Sequence, residues 1–212
     1  MKKIICFDVS GTLIDQNSWD IFTSSEEIEK KLKDIFDDYN NNKIPLRDFW
    51  DQVALVFKST GNANIEYIRN HFDDVNVLKE GAEDLINYLK EKGYKIYLIS
   101  CSINIYLEEL TRKLKLDGFF AGTKFIFDEN GELLSIESEC FENKDFKEEK
   151  VRKVAEENNA EIEDIIFVGD GKNDIGAFKI TKNGIAIDSE VEELRNIAWK
   201  NVKQLKEIKN IL

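Results

Sequence analysis

Four short apolar runs constrain this chain most: IICF at 4–7, IYLI at 96–99, IIFV at 165–168 and the weaker GIAI at 184–187. Each is too short for a helix and too uniformly apolar for a strand with one wet face. Such runs read as strands buried on both sides, the signature of a parallel sheet covered by helices. Helical patterns alternate with them. Ala82, Leu85, Ile86 and Leu89 recur at helical spacing between Gly81 and Gly93, and similar patterns cover 103–116 and 147–158. Strand, helix, strand, helix in sequence predicts right-handed crossovers and a doubly wound α/β sheet. The spacing also predicts a closing amphipathic helix over 202–212.

Two segments break the alternation. Residues 16–78 hold no convincing buried strand but three helix-like stretches, 19–39, 46–57 and 64–72, with the only proline, Pro45, where a helix can begin. They predict a small helical domain inserted after the first strand. Its aromatics Trp19, Phe22, Phe49, Trp50 and Phe57 are expected to fill its own core. The second break, at about 123–140, alternates around Asn130-Gly131, a strong hairpin signal. The core domain is thus expected to comprise 1–15 and 79–212, with the hairpin as a flap, and the helical cap 16–78.

Composition excludes several classes. The 212 residues include 30 Lys+Arg against 42 Asp+Glu, a net charge of −12. A nucleic-acid surface needs clustered excess cations, so no nucleic-acid partner is expected. No apolar stretch approaches a membrane span and no signal peptide is recognised, so no membrane partner and a cytoplasmic location are expected. Cys6, Cys101 and Cys140 show no C-x-x-C or paired Cys/His spacing, which predicts reduced, buried cysteines rather than a disulfide or a zinc site. The single histidine, His71, lies far from any nucleophile-like motif and reads as an ordinary helix residue. Nothing in the sequence fixes the oligomeric state.

Ligands of open α/β sheets bind beyond the carboxyl ends of the strands. There the first strand ends in Asp8, the second in Ser100 and the third in Gly169-Asp170, with Asp174 shortly after. If the first and third strands are neighbours, three carboxylates converge, which is costly unless a cation binds. An oxygen-only donor set selects a hard ion, Mg²⁺ foremost. Gly11 permits a sharp turn and close backbone approach to an anion. The run G169-D-G-K-N-D174 could pass for a truncated dinucleotide fingerprint, but Asp174 takes the third glycine position, and paired acids repel a pyrophosphate. A receiver domain also gathers acids at a sheet edge, yet it lacks a large helical insertion after its first strand.

Together, D8-V-S-G-T12, Ser100, Lys147 and G169-D-G-K-N-D174 resemble, in order and spacing, the four signature motifs of the haloacid dehalogenase superfamily, closest to its phosphoserine phosphatase-like branch with a helical cap. The resemblance implies a Rossmann-like core and a magnesium-dependent phosphatase of a small phosphorylated metabolite. Asp8 would be the nucleophile. Mg²⁺ would be held by the Asp8 carboxylate, the Ser10 carbonyl and Asp170, with Asp174 behind them fixing their geometry. Ser100 and Lys147 would grip the phosphoryl oxygens, Asn173 would support them, and Thr12 would brace the turn. Lys150 is a rival for the lysine, and spacing favours Lys147. A dehalogenase needs no magnesium and would leave Asp170 and Asp174 without a task.

The chain departs from the family pattern at Ser10, where most phosphatases of this superfamily carry an aspartate that protonates the leaving group. A hydroxyl does not release a proton readily near neutral pH, so a term of typically ~10²–10⁴-fold must be absent or come from elsewhere. The alternative function is a catalytically weak or inactive phospho-ligand binding or regulatory protein on the same scaffold. The positions at which that branch carries a substrate-binding Glu and Arg are here Asn17 and Val53. Arg47 could meet an anionic substrate, but an exposed helix arginine is its simpler account.

Overall fold

The computed structural model describes residues 3–16, 19, 26–59, 61, 63–74 and 78–212. Seven strands form one sheet in the order β4-β3-β2-β1-β5-β6-β7: β1 (Ile4–Phe7), β2 (Lys95–Ile103), β3 (Gly118–Phe127), β4 (Leu133–Ser138), β5 (Ile165–Gly169), β6 (Gly184–Ile187) and β7 (Lys200–Val202). All pairs are parallel except the β3/β4 hairpin. The four apolar runs are therefore strands, and they lie together at the centre and one side of the sheet.

Between β1 and β2 come helices α1 (Glu26–Asn40), α2 (Leu46–Ser59), α3 (Ile65–Asp74) and α4 (Ala82–Glu91). Then α5 (Asn104–Leu114) follows β2, and α6 (Glu139–Glu142) and α7 (Phe146–Glu157) follow the hairpin. The last two are α8 (Ile175–Thr181) and α9 (Glu192–Ile197). Alternation along each strand sends successive side chains to opposite faces. On one face Ile5, Phe7, Leu98 and Val168 pack with Leu85, Leu89 and Leu110 of α4 and α5. On the other, Cys6, Ile99 and Phe167 meet Phe146, Val154 and Phe178 of α7 and α8. Burial of both faces explains why the strand sequences show no polar alternation.

In the inserted helices Phe49, Trp50 and Phe57 are buried, but they do not fill a core of their own: they belong to the same apolar cluster as Phe7 and Leu98, and Phe57 lies 5.7 Å from Phe125 of β3. Phe49 packs at 4.9 Å from both Phe36 and Tyr39 of α1 and at 4.7 Å from Trp50. Trp19 is half-buried and stacks on Trp50 at 6.0 Å. Phe22 and Asn17 lie outside the described residues, as does the side chain of His71 in α3.

Two expectations need correction. The chain does not close with an α-helix over 202–212: residues 200–202 are consumed by β7, and only a 3₁₀ turn, Leu205–Asn210, remains. The cysteines are not all reduced either. Cys101 and Cys140 form a disulfide, and Cys6 alone is free and buried. Their separation of 39 residues gives no local pattern, since it is the β3/β4 hairpin between them that brings the two together. The hairpin is continuous with the main sheet, because residues 118–123 of β3 pair with β2 before 123–127 pair with β4. Among the described residues no helix is long and apolar enough to cross a membrane.

Candidate active site

β1 lies between β2 and β5, with Phe7 in register with Val168, so Asp8 emerges beside Gly169-Asp170. The Asp8 amide continues the ladder by donating to the Val168 carbonyl at 2.9 Å. Just past it the chain turns tightly: the Val9 carbonyl accepts from the amides of Thr12, Leu13 and Ile14. Gly11 sits at φ 79°, and a Cβ there would overlap the Asp170 carboxylate. Glycine is needed twice over, for the left-handed backbone and for the close approach.

The three carboxylates of Asp8, Asp170 and Asp174 offer oxygens that all lie within 4.8 Å of one another. Each is held differently. Asp174 is fully buried, and its Oδ2 accepts from the amides of Asp170 and Gly171 at 3.0 and 2.8 Å. Its Oδ1 accepts from Lys147 Nζ at 2.5 Å. Asp170 accepts from the Thr12 hydroxyl at 2.7 Å, and its carbonyl accepts from the Ser189 hydroxyl at 2.6 Å. Asp8 takes Lys147 Nζ on Oδ2 at 2.9 Å, while its Oδ1 is buried with no hydrogen-bond partner.

Lys147 therefore stands between two acids, and Lys150 does not compete for them: it pairs with Glu139 at 2.5 Å. One ammonium does not neutralise three carboxylates. Burial, reinforced by the Asp8 charge and opposed by Lys147, pushes Asp174 up to about 6. Burial and Asp8 also raise Asp170, against the Thr12 hydrogen bond and the charges of Lys147 and Lys79. Burial alone would lower Lys147, but Asp174 and Asp8 outweigh it and hold it above its ordinary value. An orphaned, buried oxygen among hard donors under excess negative charge fits a divalent cation.

Above these acids opens a cavity of about 600 Å³. Its floor includes Asp8, Ser10, Ser100, Asp170 and Asn173. Leu32 and Phe36 of α1, with Trp19 and Phe141, form apolar walls, and Glu29 and Lys33 carry the charges on α1. The residues named from the sequence for this site, Thr12 and Lys147 included, gather around the carboxyl ends of β1 and β5, but β2 does not end at Ser100: it runs on to Ile103, and its register against β3 shifts after Ser100. Arg47 is exposed on a separate cavity, and Val53 is buried in the bundle, so neither reaches the acids.

Several contributors were not foreseen. Ser102 stands two residues from Ser100 on the same strand, and their hydroxyls are 3.0 Å apart. The period-2 rule could have found it. Leu32 and Phe36 share one face of α1, but the helix pattern does not say which face looks at the sheet. Lys79 binds the Gly11 carbonyl and lies 3.4 Å from Asp15, bracing the first turn. Nothing local in the sequence marks that contact.

Comparison with known proteins agrees with this arrangement. The family model of haloacid dehalogenase-like hydrolases matches residues 5–179. A phosphoserine phosphatase of Lactococcus lactis is 30% identical over 189 residues, covering 87% of this chain and 83% of that protein. One of Methanocaldococcus jannaschii is 29% identical, covering 88% and 84%. Among solved structures, an apo phosphoserine phosphatase superimposes with a TM-score of 0.76 at 26% identity over the full length of both chains. A phospho-aspartyl intermediate analogue of a phosphoserine phosphatase gives 0.75 at 27% identity, covering 100% of this chain and 99% of that one.

Proposed function

The chain belongs to the haloacid dehalogenase-like hydrolase family, and from that premise we propose that it is a magnesium-dependent phosphatase of a small phosphorylated metabolite, working through an aspartyl-phosphate on Asp8. The observation that carries this reading is the state of Asp8. One carboxylate oxygen is fixed by Lys147, and the other is buried and unpartnered beside Asp170 at the base of a cavity. The curated relatives named phosphoserine phosphatase support phosphomonoester hydrolysis over passive binding of a phospho-ligand.

Asp8, the Ser10 carbonyl and Asp170 would hold the Mg²⁺, with Asp174 locking the 169–171 loop behind them. When bound, the ion offsets charge on the transferring phosphoryl group. The chain's own residues do the rest. Lys147, 2.9 Å from Asp8 Oδ2, holds the Asp8 carboxylate aimed. Ser100, Lys147 and Asn173 grip phosphoryl oxygens, so that Asp8 attacks phosphorus in line and the ester oxygen departs. Water then hydrolyses the acyl-phosphate and regenerates Asp8. Leu32, Phe36 and the other apolar walls exclude bulk water from the reacting face.

Ser10 is the specific departure. Without a carboxyl at that position, the departing oxygen takes its proton from solvent or from the substrate. Aryl phosphates, whose leaving groups need no proton, are therefore expected to turn over best. Wild type is expected to release phosphate from p-nitrophenyl phosphate with Mg²⁺ and not with EDTA. Ser10→Asp is expected to speed hydrolysis of alkyl phosphates by about 10²-fold and that of aryl phosphates far less. No metal-dependent release from several aryl and acyl phosphates contradicts the enzyme reading. An equal gain on both ester classes shows that another group already supplies the proton.

A further inference from the structure

The disulfide is placed where it can act on the site without belonging to the chemistry. Cys101 follows Ser100 directly on β2 and lines the main cavity; Cys140 precedes Phe141, which lines the same cavity from α6. Phe141 in turn docks on the helical insertion, 5.1 Å from Trp50, 5.8 Å from Phe49 and 6.1 Å from Tyr39. The bridge thus closes a covalent path from the Ser100 segment of β2 to the Phe141 wall that meets the inserted helices. It spans β3, with Cα atoms 5.9 Å apart, and a Cβ on Gly122 would overlap the Cys140 sulfur. Gly122 is the cradle that lets the sulfur lie across the strand.

The bridge is also reachable. A second cavity, about 310 Å³, is lined by both cysteines together with Asn143, Lys144 and Lys172. Its exposed lysines favour thiolate over thiol in an incoming reductant. Cys6, by contrast, is buried in the core, and burial pushes its thiol far up, which makes it inert.

We propose that Cys101 and Cys140 form a reversible thiol–disulfide site, serviced by a dithiol through this second cavity, that sets how firmly Phe141 and the Ser100 segment of β2 hold the active-site cavity. A thiolate of the dithiol attacks one bridge sulfur, the S–S bond breaks, and the other cysteine leaves as thiolate and takes a proton. The second thiol of the dithiol then displaces the mixed disulfide. Two electrons and two protons pass to the protein, and the dithiol leaves as its own disulfide. The reduced segment stays folded. The Lys150–Glu139 pair and the Ser138 hydroxyl on the Gly122 carbonyl still hold the neighbourhood of α6, but both are weaker than a covalent tie.

The kinetic part of the test rests on the phosphatase reading; the structural part does not. Alkylation of the native protein followed by mass analysis is expected to modify no cysteine before dithiothreitol treatment, and Cys101 and Cys140 but not Cys6 after it. Reduction is expected to shift the emission of Trp19 and Trp50. It is also expected to raise KM for p-nitrophenyl phosphate about fivefold or more, the range of modest coupling between sites. Cys140→Ser should carry the raised KM permanently and ignore dithiothreitol. Two alkylated cysteines in protein purified without reductant overturn the proposal, as do equal KM values in oxidised, reduced and Cys140→Ser enzyme. If no form hydrolyses phosphate, the function reading falls instead. The emission shift then decides for the redox site, and an unchanged spectrum decides against it.

Discussion

Asp8→Asn is expected to reduce phosphate release by at least ~10⁴-fold while the protein stays folded. An amide has no charge to bring to phosphorus and makes a poor donor to a hard cation. No neighbour can substitute. Asp170 is engaged by Thr12, and Asp174 is buried and bonded to Lys147 and the Asp170 and Gly171 amides. The substitution costs Lys147 one partner but removes a like charge from the other two acids, so the two effects on stability oppose. Circular dichroism and the melting temperature are expected to stay near wild type. Turnover retained within tenfold removes Asp8 as nucleophile.

Lys147→Ala is expected to produce the largest loss of stability, about 3–5 kcal/mol near neutral pH, because it leaves buried carboxylates uncompensated. Lys147 is 2% exposed and lies 2.5 Å from Asp174 and 2.9 Å from Asp8. Against a total stability of roughly 5–15 kcal/mol, that is a large share. The deficit should depend on pH in a definite direction. Asp174 binds its proton more tightly folded than unfolded, so its contribution to stability is fully present below the ordinary carboxylate range and is lost as pH rises through about 6. The metal-free protein should therefore weaken from pH 5 toward neutrality. The variant, with the counter-charge gone, should weaken more steeply and approach wild type at the acid end. Urea unfolding at the two pH extremes checks this, and a deficit independent of pH contradicts it.

The central strands were legible because both-face burial leaves its mark in four consecutive residues, as in IICF and IIFV. Asp8, Ser100 and Asp170 were legible for a related reason: Asp8 and Ser100 follow such a run directly and Asp170 follows one after Gly169, and parallel topology brings the positions after these runs to one edge. The rest was hidden where the cause is not local. β7 is a three-residue edge strand whose pairing with β6 stabilises it, so KNV alone carries no strand signal. The Cys101–Cys140 bridge depends on β3 passing under it at Gly122, a contact that exists only after the sheet is built. The cap aromatics show the same limit in another form. Phe49 and Phe57 are buried, though in one cluster with the sheet rather than in a separate core, and Trp19, with a similar sequence setting, lines the cavity. Ser10 is the reverse case, since its meaning lies in what the residue type cannot donate and no fold changes that.

The measurement that reaches the central claim most directly is acid quench of wild-type enzyme during turnover of an aryl phosphate with Mg²⁺, followed by mass analysis of the peptide containing residues 4–15. One phosphoryl group is expected on Asp8, absent with EDTA and absent in Asp8→Asn. Turnover with an unmodified Asp8, or with the phosphoryl group on another residue, contradicts it.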